Sequence, residues 1–285
     1  MRVVELFAGV GGFRLGLERA GHEVIWANEW NPQAADVYDH NFGGQIDRRN
    51  LRDIGAGEVP AHDLICAGFP CQPFSFAGKR GGFADLRGTL FFEILRLARH
   101  HRTPYLLLEN VRGLLSHDSG WTFWAILHRL DAAGYDCQWQ VLDSSHFGVP
   151  QRRERIFIVA HRRDLPRPAV FPLDGEGGTT AHPDSGVERP LYVIGNADMT
   201  WQSKGPRFRF MGPAYTLTTK PDQGIAYRDE AGDWHVRHLT ELEYERLQGF
   251  PDGWTVTAAK TQRYKQMGNA VSVPVIEAIG RRLPR

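Results

Sequence analysis

Cys71 and Glu109 are the side chains here with the types that covalent chemistry on a polar substrate uses, and each follows an apolar run that reads as a buried strand. Cys71 lies just past Asp63-Leu64-Ile65-Cys66-Ala67, within Gly68-Phe69-Pro70-Cys71-Gln72-Pro73-Phe74-Ser75. Pro70 and Pro73 fix φ and remove two amide donors, so this segment cannot continue as an interior strand. Cys66, inside the run, has the surroundings of an ordinary buried thiol. Cys71 instead sits where open α/β sheets bind ligands, beyond the carboxyl end of a strand. A free thiol is mostly protonated near neutrality, so a cysteine nucleophile needs positive surroundings or an electrophile activated in concert. Glu109, after Leu106-Leu107-Leu108, can supply that activation if burial keeps its carboxyl protonated. Cytosine is an acceptor that matches. Hydrogen bonding at N3 makes C6 electrophilic, a thiolate adds there, and C5 becomes an enamine carbon able to attack a methyl sulfonium. Plainer readings stand beside these: Glu109 as a carboxylate capping a helix amino terminus, and the run Arg152, Arg153, Arg155, Arg162, Arg163 and Arg167 as a solvated face.

The elements that must carry these groups follow an α/β pattern. A strand over 2–7 leads into the turn Ala8-Gly9-Val10-Gly11-Gly12 and a helix over 13–20 that Gly21 can cap. A second strand over 23–28 ends at Glu29, where an acidic side chain reaches a ribose on the same sheet edge. A dinucleotide fingerprint would place a third glycine at position 14, which is Arg14, so a diphosphate cradle is disfavoured. Trp30 offers a face to a purine. An adenosine-containing cofactor without a diphosphate fits better, and S-adenosylmethionine is the obvious one. The plainer reading of the glycine turn is an ordinary tight connection.

Asn31-Pro32 opens the next helix, and Asp53-Ile54 closes a third unit before the strand that leads to Cys71. Helices are predicted over 89–101 and 121–133, with a strand over 105–108 between them that delivers Glu109-Asn110-Val111 to the edge shared with Cys71. Strands over 138–142 and 155–160 are joined without a helix, which predicts an antiparallel pair in an otherwise parallel sheet covered on both sides. From Asp164 to Pro190 prolines and glycines are frequent and helical periodicity is lost, which places a domain boundary there. Short β-like pieces follow over 190–236. Thr240 and Glu243 form a capping-box pair that starts a helix over 241–248. Residues 262–267 look helical, and a last helix from Ser272-x-Pro274 to 283 is apolar enough to pack back on the first domain.

At 285 residues the chain is long enough for one large core or two unequal domains. Net charge is +1, so any nucleic-acid contact must rest on local basic charge. Cysteines 66, 71 and 137 make neither an even-numbered disulfide framework nor a Cys-x-x-Cys zinc pair, which points to a reducing cytosol and no metal. No stretch reads as a membrane span or a signal peptide. The residues from Phe74 to Gly88, with four glycines, Lys79, Arg80 and Arg87, read as a basic lid.

Taken together the chain resembles the DNA (cytosine-5)-methyltransferases. Nine segments carry the resemblance in family order: Phe7-Ala8-Gly9-Val10-Gly11-Gly12, Asn28-Glu29-Trp30, Asp53-Ile54, Gly68-Phe69-Pro70-Cys71-Gln72, Arg87-Gly88-Thr89-Leu90, Glu109-Asn110-Val111, Gln151-Arg152-Arg153-Glu154-Arg155, Arg237-His238-Leu239-Thr240 and Gly268-Asn269-Ala270-Val271. The resemblance implies a Rossmann-like, S-adenosylmethionine-dependent α/β domain over 1–163 plus 262–285. It also implies a smaller, irregular, β-rich target-recognition domain over 164–261. Cys71 would attack C6, Glu109 would hold N3 and the exocyclic amine, and Arg155 with Arg153 would contact the cytosine O2. Phe7, Ala8, Gly9, Val10, Gly11 and Gly12 would line the cofactor pocket together with Gly68, Pro70 and Leu90. Glu29 would bind the ribose, Trp30 would pack on the adenine, Asp53 with Ile54 would meet its amino edge, and Asn269 and Val271 would close the pocket. The implied partner is double-stranded DNA, met by a cytoplasmic monomer in a bacterial or phage-infected cell, with no stable complex to any cognate restriction endonuclease. The target base must be flipped out of its duplex. A tRNA cytosine-5 methyltransferase on the same catalytic set, or a silent DNA-binding relative, are the rival readings.

Overall fold

The computed structural model describes residues 1–44, 46–69, 90–175 and 212–285 in full, and 192–195 and 207–210 through their backbone. Pro70, Cys71 and the glycine-rich segment after them, expected to be a lid, lie outside the described residues. The chain opens with strand β1 (Arg2–Leu6), helix α1 (Gly12–Arg19), strand β2 (Glu23–Asn28) and helix α2 (Pro32–Phe42). Asn31 caps α2 by accepting from the Ala34 amide at 3.1 Å, and Pro32 stands in the first turn, where its missing N–H has no partner to lose. Strand β3 (Leu64–Gly68), helix α3 (Leu90–His101), strand β4 (Tyr105–Val111), helix α4 (Trp121–Ala132) and strands β5 (Tyr135–Asp143) and β6 (Glu154–Arg162) complete the larger unit.

Its six strands run in the order β2-β1-β3-β4-β6-β5. β1 to β4 pair in parallel, whereas β6 runs antiparallel to both β4 and β5, as the helix-free connection predicted. One face is covered by α3 and α4 through Ile94, Leu97, Ile126 and Leu130. The other is covered by α1 and the last helix α7 (Val273–Gly280) through Leu17, Ile276 and Ile279. Burial from both sides explains why β3 and β4 read as continuous apolar runs. Gly16 lets α7 lie against α1, since a Cβ there would fall 2.7 Å from the Ile276 Cβ.

A second sheet is antiparallel in the order β10-β9-β7-β8, from β7 (Tyr192–Gly195), β8 (Arg207–Phe210), β9 (Gln223–Arg228) and β10 (Trp234–His238). Helix α5 (Glu241–Gln248) starts at the predicted capping box: the Thr240 amide donates to Glu243 Oε2 at 2.7 Å, and Thr240 Oγ1 accepts from the Glu243 amide at 3.2 Å. Tyr244, Leu247 and Phe250 pack in one cluster with Val10, Val37 and Met267, the last on helix α6 (Lys260–Asn269). The proline-rich segment after β6 first crosses β5, where the Gln138 and Gln140 amides bond the 168 and 173 carbonyls and Val170 and Leu173 are buried.

One expectation needs correction. β4 extends through Val111, because β6 supplies pairing partners as far as Val111↔Arg155, so Glu109 is a strand residue rather than one beyond the strand. The arginine run is not one basic patch. β6 is extended, so at about 3.3 Å per residue Arg162 lies roughly 23 Å from Arg155. Arg162 pairs with Asp164, Arg163 with Asp131 and Asp136, and Arg152 with Asp143, so most of the run's charge is spent locally.

Candidate active site

The carboxyl ends of β1 to β4 and the amino end of β6 meet at one edge of the larger sheet, because β6 alone runs the other way. This reversal brings the first residues of β6 beside the last residues of β4. Arg155 Nε lies 3.2 Å from Glu109 Oε1, and Arg155 Nη1 donates to the Glu154 carbonyl at 2.8 Å. Glu109 is buried. Burial raises its carboxyl above the ordinary carboxylate range, and the nearby Arg155 and Arg153 charges pull it back less than burial pushes. Gly68 faces Glu109 across β3 and β4, and a Cβ there would come within 3.3 Å of Glu109 Oε2. Beside them, Asn110 Nδ2 donates to the Phe69 carbonyl at 2.8 Å and so fixes the last described residue before Pro70.

The β1–α1 turn lies at the same edge. Gly9 at φ +55° and Gly11 at φ +86° let it double back, and the backbone beyond β2 returns to meet it. Glu29 Oε2 accepts from the Gly9 amide and Oε1 from the Asn31 amide, both at 2.8 Å. Each oxygen retains a lone pair. Burial raises the Glu29 carboxyl too, with the two amides opposing. Trp30 is 68% exposed and is one of the residues that line the cleft. The far wall comes from the chain's end: Asn269 closes α6, Ala270 and Val271 follow it, and Gln266 Nε2 donates to the Gln33 carbonyl at 3.0 Å. The Trp254 indole, buried between them, donates to the Val10 carbonyl at 2.9 Å.

One cleft of about 460 Å³ is lined by Trp30 and Glu29, by Phe7, Gly9 and Val10, by Gly68, Glu109 and Arg155, and by Gln266, Asn269, Ala270 and Val271. One end of it opens onto an acid and a cation, Glu109 and Arg155.

A family model described as C-5 cytosine-specific DNA methylase matches residues 1–190 and 178–285. The chain belongs to the C-5 cytosine-specific DNA methylase family. It is 34% identical to the type II methyltransferase M.HhaI of Haemophilus parahaemolyticus, over 98% of this chain and 93% of that one. It is 37% identical to the type II methyltransferase M.NgoBI of Neisseria gonorrhoeae, over 97% and 91%. Among solved structures, a DNMT2 variant from Spodoptera frugiperda superposes with a TM-score of 0.70 at 19% identity, covering 97% of each chain, which is a likeness of fold.

Of the residues that the methylase resemblance singles out, Phe7, Ala8, Gly9, Val10, Gly12, Glu29, Trp30, Gly68, Glu109, Arg153, Arg155, Asn269 and Val271 line the cleft. Gly11 stands behind it, against Phe42 and Tyr38. Asp53 is exposed on a short turn, Ile54 is buried in the core under α3, and Leu90 begins α3, so none of these three is among the lining residues. Cys66 is fully buried and its thiol pushed well up by burial, and Cys137 is likewise pushed up to about 12, so neither is an available nucleophile. Among the described residues no group of His, Cys, Asp and Glu could hold a metal, and no helix is long and apolar enough to cross a membrane. Asn31, Asn110, Gln262 and Gln266 are lining residues that sequence reasoning missed. Only the helical spacing of Gln262, Gln266 and Asn269 carried a signal, one polar stripe on α6.

Proposed function

We propose that this chain transfers a methyl group from S-adenosylmethionine to C5 of a cytosine flipped out of duplex DNA, through a covalent bond between Cys71 and C6. What supports this most is a single juxtaposition: the buried Glu109–Arg155 pair opens into the same cleft as Glu29 and Trp30. The residues present fit the cofactor. Glu29 has two oxygens with spare lone pairs for ribose hydroxyls, Trp30 is 68% exposed and offers its indole to a purine, and Gly9 has open space beside its backbone. Bound there, S-adenosylmethionine supplies an electrophilic methyl on a sulfonium.

The chain's own residues do the rest. Glu109 in its protonated form donates to N3 of the base, and Arg155 stands against the O2 side and stabilises the charge that N3 and O2 acquire. The Cys71 thiolate uses its electron pair to form the S–C6 bond, which leaves C5 nucleophilic toward the methyl. After transfer, loss of the C5 proton to a base re-forms the C5–C6 double bond and expels the thiolate. The proton on N3 returns to Glu109, so the enzyme ends as it began. The second sheet and its flanking loops, within 164–261, would read the target sequence from the groove, which no residue code in that segment spells out.

A labelled-methyl assay on duplex DNA beside tRNA tests the reading. Transfer to DNA is expected, and transfer to tRNA alone would overturn it. Cys71→Ser should abolish transfer and leave binding of S-adenosylhomocysteine intact; retained transfer would sink the covalent route. Bisulfite sequencing of DNA from cells that express the chain then gives the target sequence.

A further inference from the structure

Arg153 does something the base chemistry does not require. It is 3% exposed, and its guanidinium is not aimed at a carboxylate. Nη2 donates to the carbonyls of Gly268 at 3.0 Å and Ala270 at 2.9 Å, while Nη1 donates to that of Leu217 at 3.4 Å. One side chain at the head of β6 therefore grips two segments that are remote in sequence. The first, 268–270, is the far wall of the cleft and carries Asn269. The second, 214–219, leads straight into β9 of the small sheet.

The second segment is fastened as a strap. Ala214 donates to the Pro150 carbonyl at 2.7 Å, Arg152 donates back to the Ala214 carbonyl at 2.8 Å, and Leu217 donates to Gln151 Oε1 at 3.0 Å. Gln151 in turn donates to Gln248 Oε1 at 3.1 Å, and Gln248 donates to the Ala270 carbonyl at 3.0 Å. An independent observation places strap and wall in direct contact: a Cβ on Gly268 would fall 2.2 Å from the Thr218 carbonyl oxygen. Nothing larger than glycine fits between them.

We propose that Arg153 is a positioning residue that couples the two halves of the enzyme, holding the 214–219 strap against the 268–270 wall so that filling the cofactor cleft also orders the approach to the small sheet. A guanidinium suits this task because its planar fork presents several donors at fixed angles, which a lysine ammonium does not. Since coupling free energy is reciprocal, DNA held by the small sheet strengthens cofactor binding by the same factor that the cofactor strengthens DNA binding. The inference rests on the cleft being the cofactor site.

Hydrogen exchange read by mass spectrometry on the full chain, with and without S-adenosylhomocysteine, tests it with no knowledge of the target sequence. In the native chain the ligand should slow exchange in 7–12 and 29–34, at the cleft, and also by about threefold or more in 212–223, none of which lines it. In Arg153→Lys the protection of 212–223 should be lost while that of 7–12 and 29–34 remains, a pattern that general destabilisation does not produce. Gly268→Ala, which wedges the strap off the wall and leaves Arg153 in place, should give the same loss. Absence of ligand-dependent protection at 212–223 in the native chain, or its persistence in both variants, overturns the coupling. Absence of protection at 7–12 and 29–34 as well would instead overturn the cofactor reading.

Discussion

Replacing Glu29 with glutamine looks conservative and is predicted not to be. Both carboxylate oxygens accept from backbone amides, Oε2 from Gly9 and Oε1 from Asn31, each at 2.8 Å. A glutamine amide has only one acceptor oxygen, so whichever way it turns, its NH2 faces an N–H donor. One buried amide is left without a partner, at a cost of about 1–3 kcal/mol. The strain falls either on the glycine turn or on the Trp30-Asn31 step, which are two walls of the same cleft. One ribose acceptor is lost at the same time. At about 1.4 kcal/mol per tenfold, S-adenosylhomocysteine affinity should fall roughly 5- to 150-fold, with the fold otherwise retained. Isothermal titration calorimetry on native and Glu29→Gln protein reads this directly. Binding within about twofold of native would mean that Glu29 is merely a structural carboxylate, and the assignment of this end of the cleft would have to be given up.

The pH dependence of transfer follows from Glu109. The group must be protonated to donate to N3, so turnover should fall as pH rises through its pKa, and burial places that limb above the ordinary carboxylate range. Arg155 favours the charged form, so Arg155→Gln should move the limb to still higher pH even as turnover drops; a move to lower pH would contradict the assignment. Gly16→Ala tests the α1–α7 contact. The added methyl would meet the Ile276 side chain at 2.7 Å and the Val273 carbonyl at 2.9 Å, and the backbone oxygen cannot step aside, so urea unfolding should show a loss of about 1–3 kcal/mol. No measurable loss would mean that the two helices are less closely apposed than described.

Much of the catalytic half was legible because its signals are local. The span predicted for β2 matches the observed strand and Asn31-Pro32 opens α2 as expected, and in the smaller unit the span predicted for α5 matches too, since strand-forming runs, an asparagine-proline start and a threonine-glutamate capping box act within a turn or two of the residue. The antiparallel pairing of β5 with β6 was legible from the helix-free connection between them. Charge was less legible. The plainer reading of the six arginines as a solvated face suits those that local carboxylates pair, but closeness in sequence does not show that an extended strand carries them to opposite edges. The polar lattice of Gln151, Gln248 and Ser272, where Ser272 donates to Gln248 Oε1 at 2.8 Å, was invisible for the opposite reason: its members are far apart in the chain and have no periodicity.

The sequence by itself determined which groups could do chemistry and the order of strands and helices, because strand, turn and cap preferences are set by a residue and its near neighbours. Tertiary structure alone decided that Glu109 is buried against Arg155, that Glu29 spends both oxygens on backbone amides, and that Arg153 grips the chain's far end. Burial and ion pairing depend on which distant segments share the space. The protonation and reach of these side chains are therefore properties of the packed sheet edge, not of the motifs that name them.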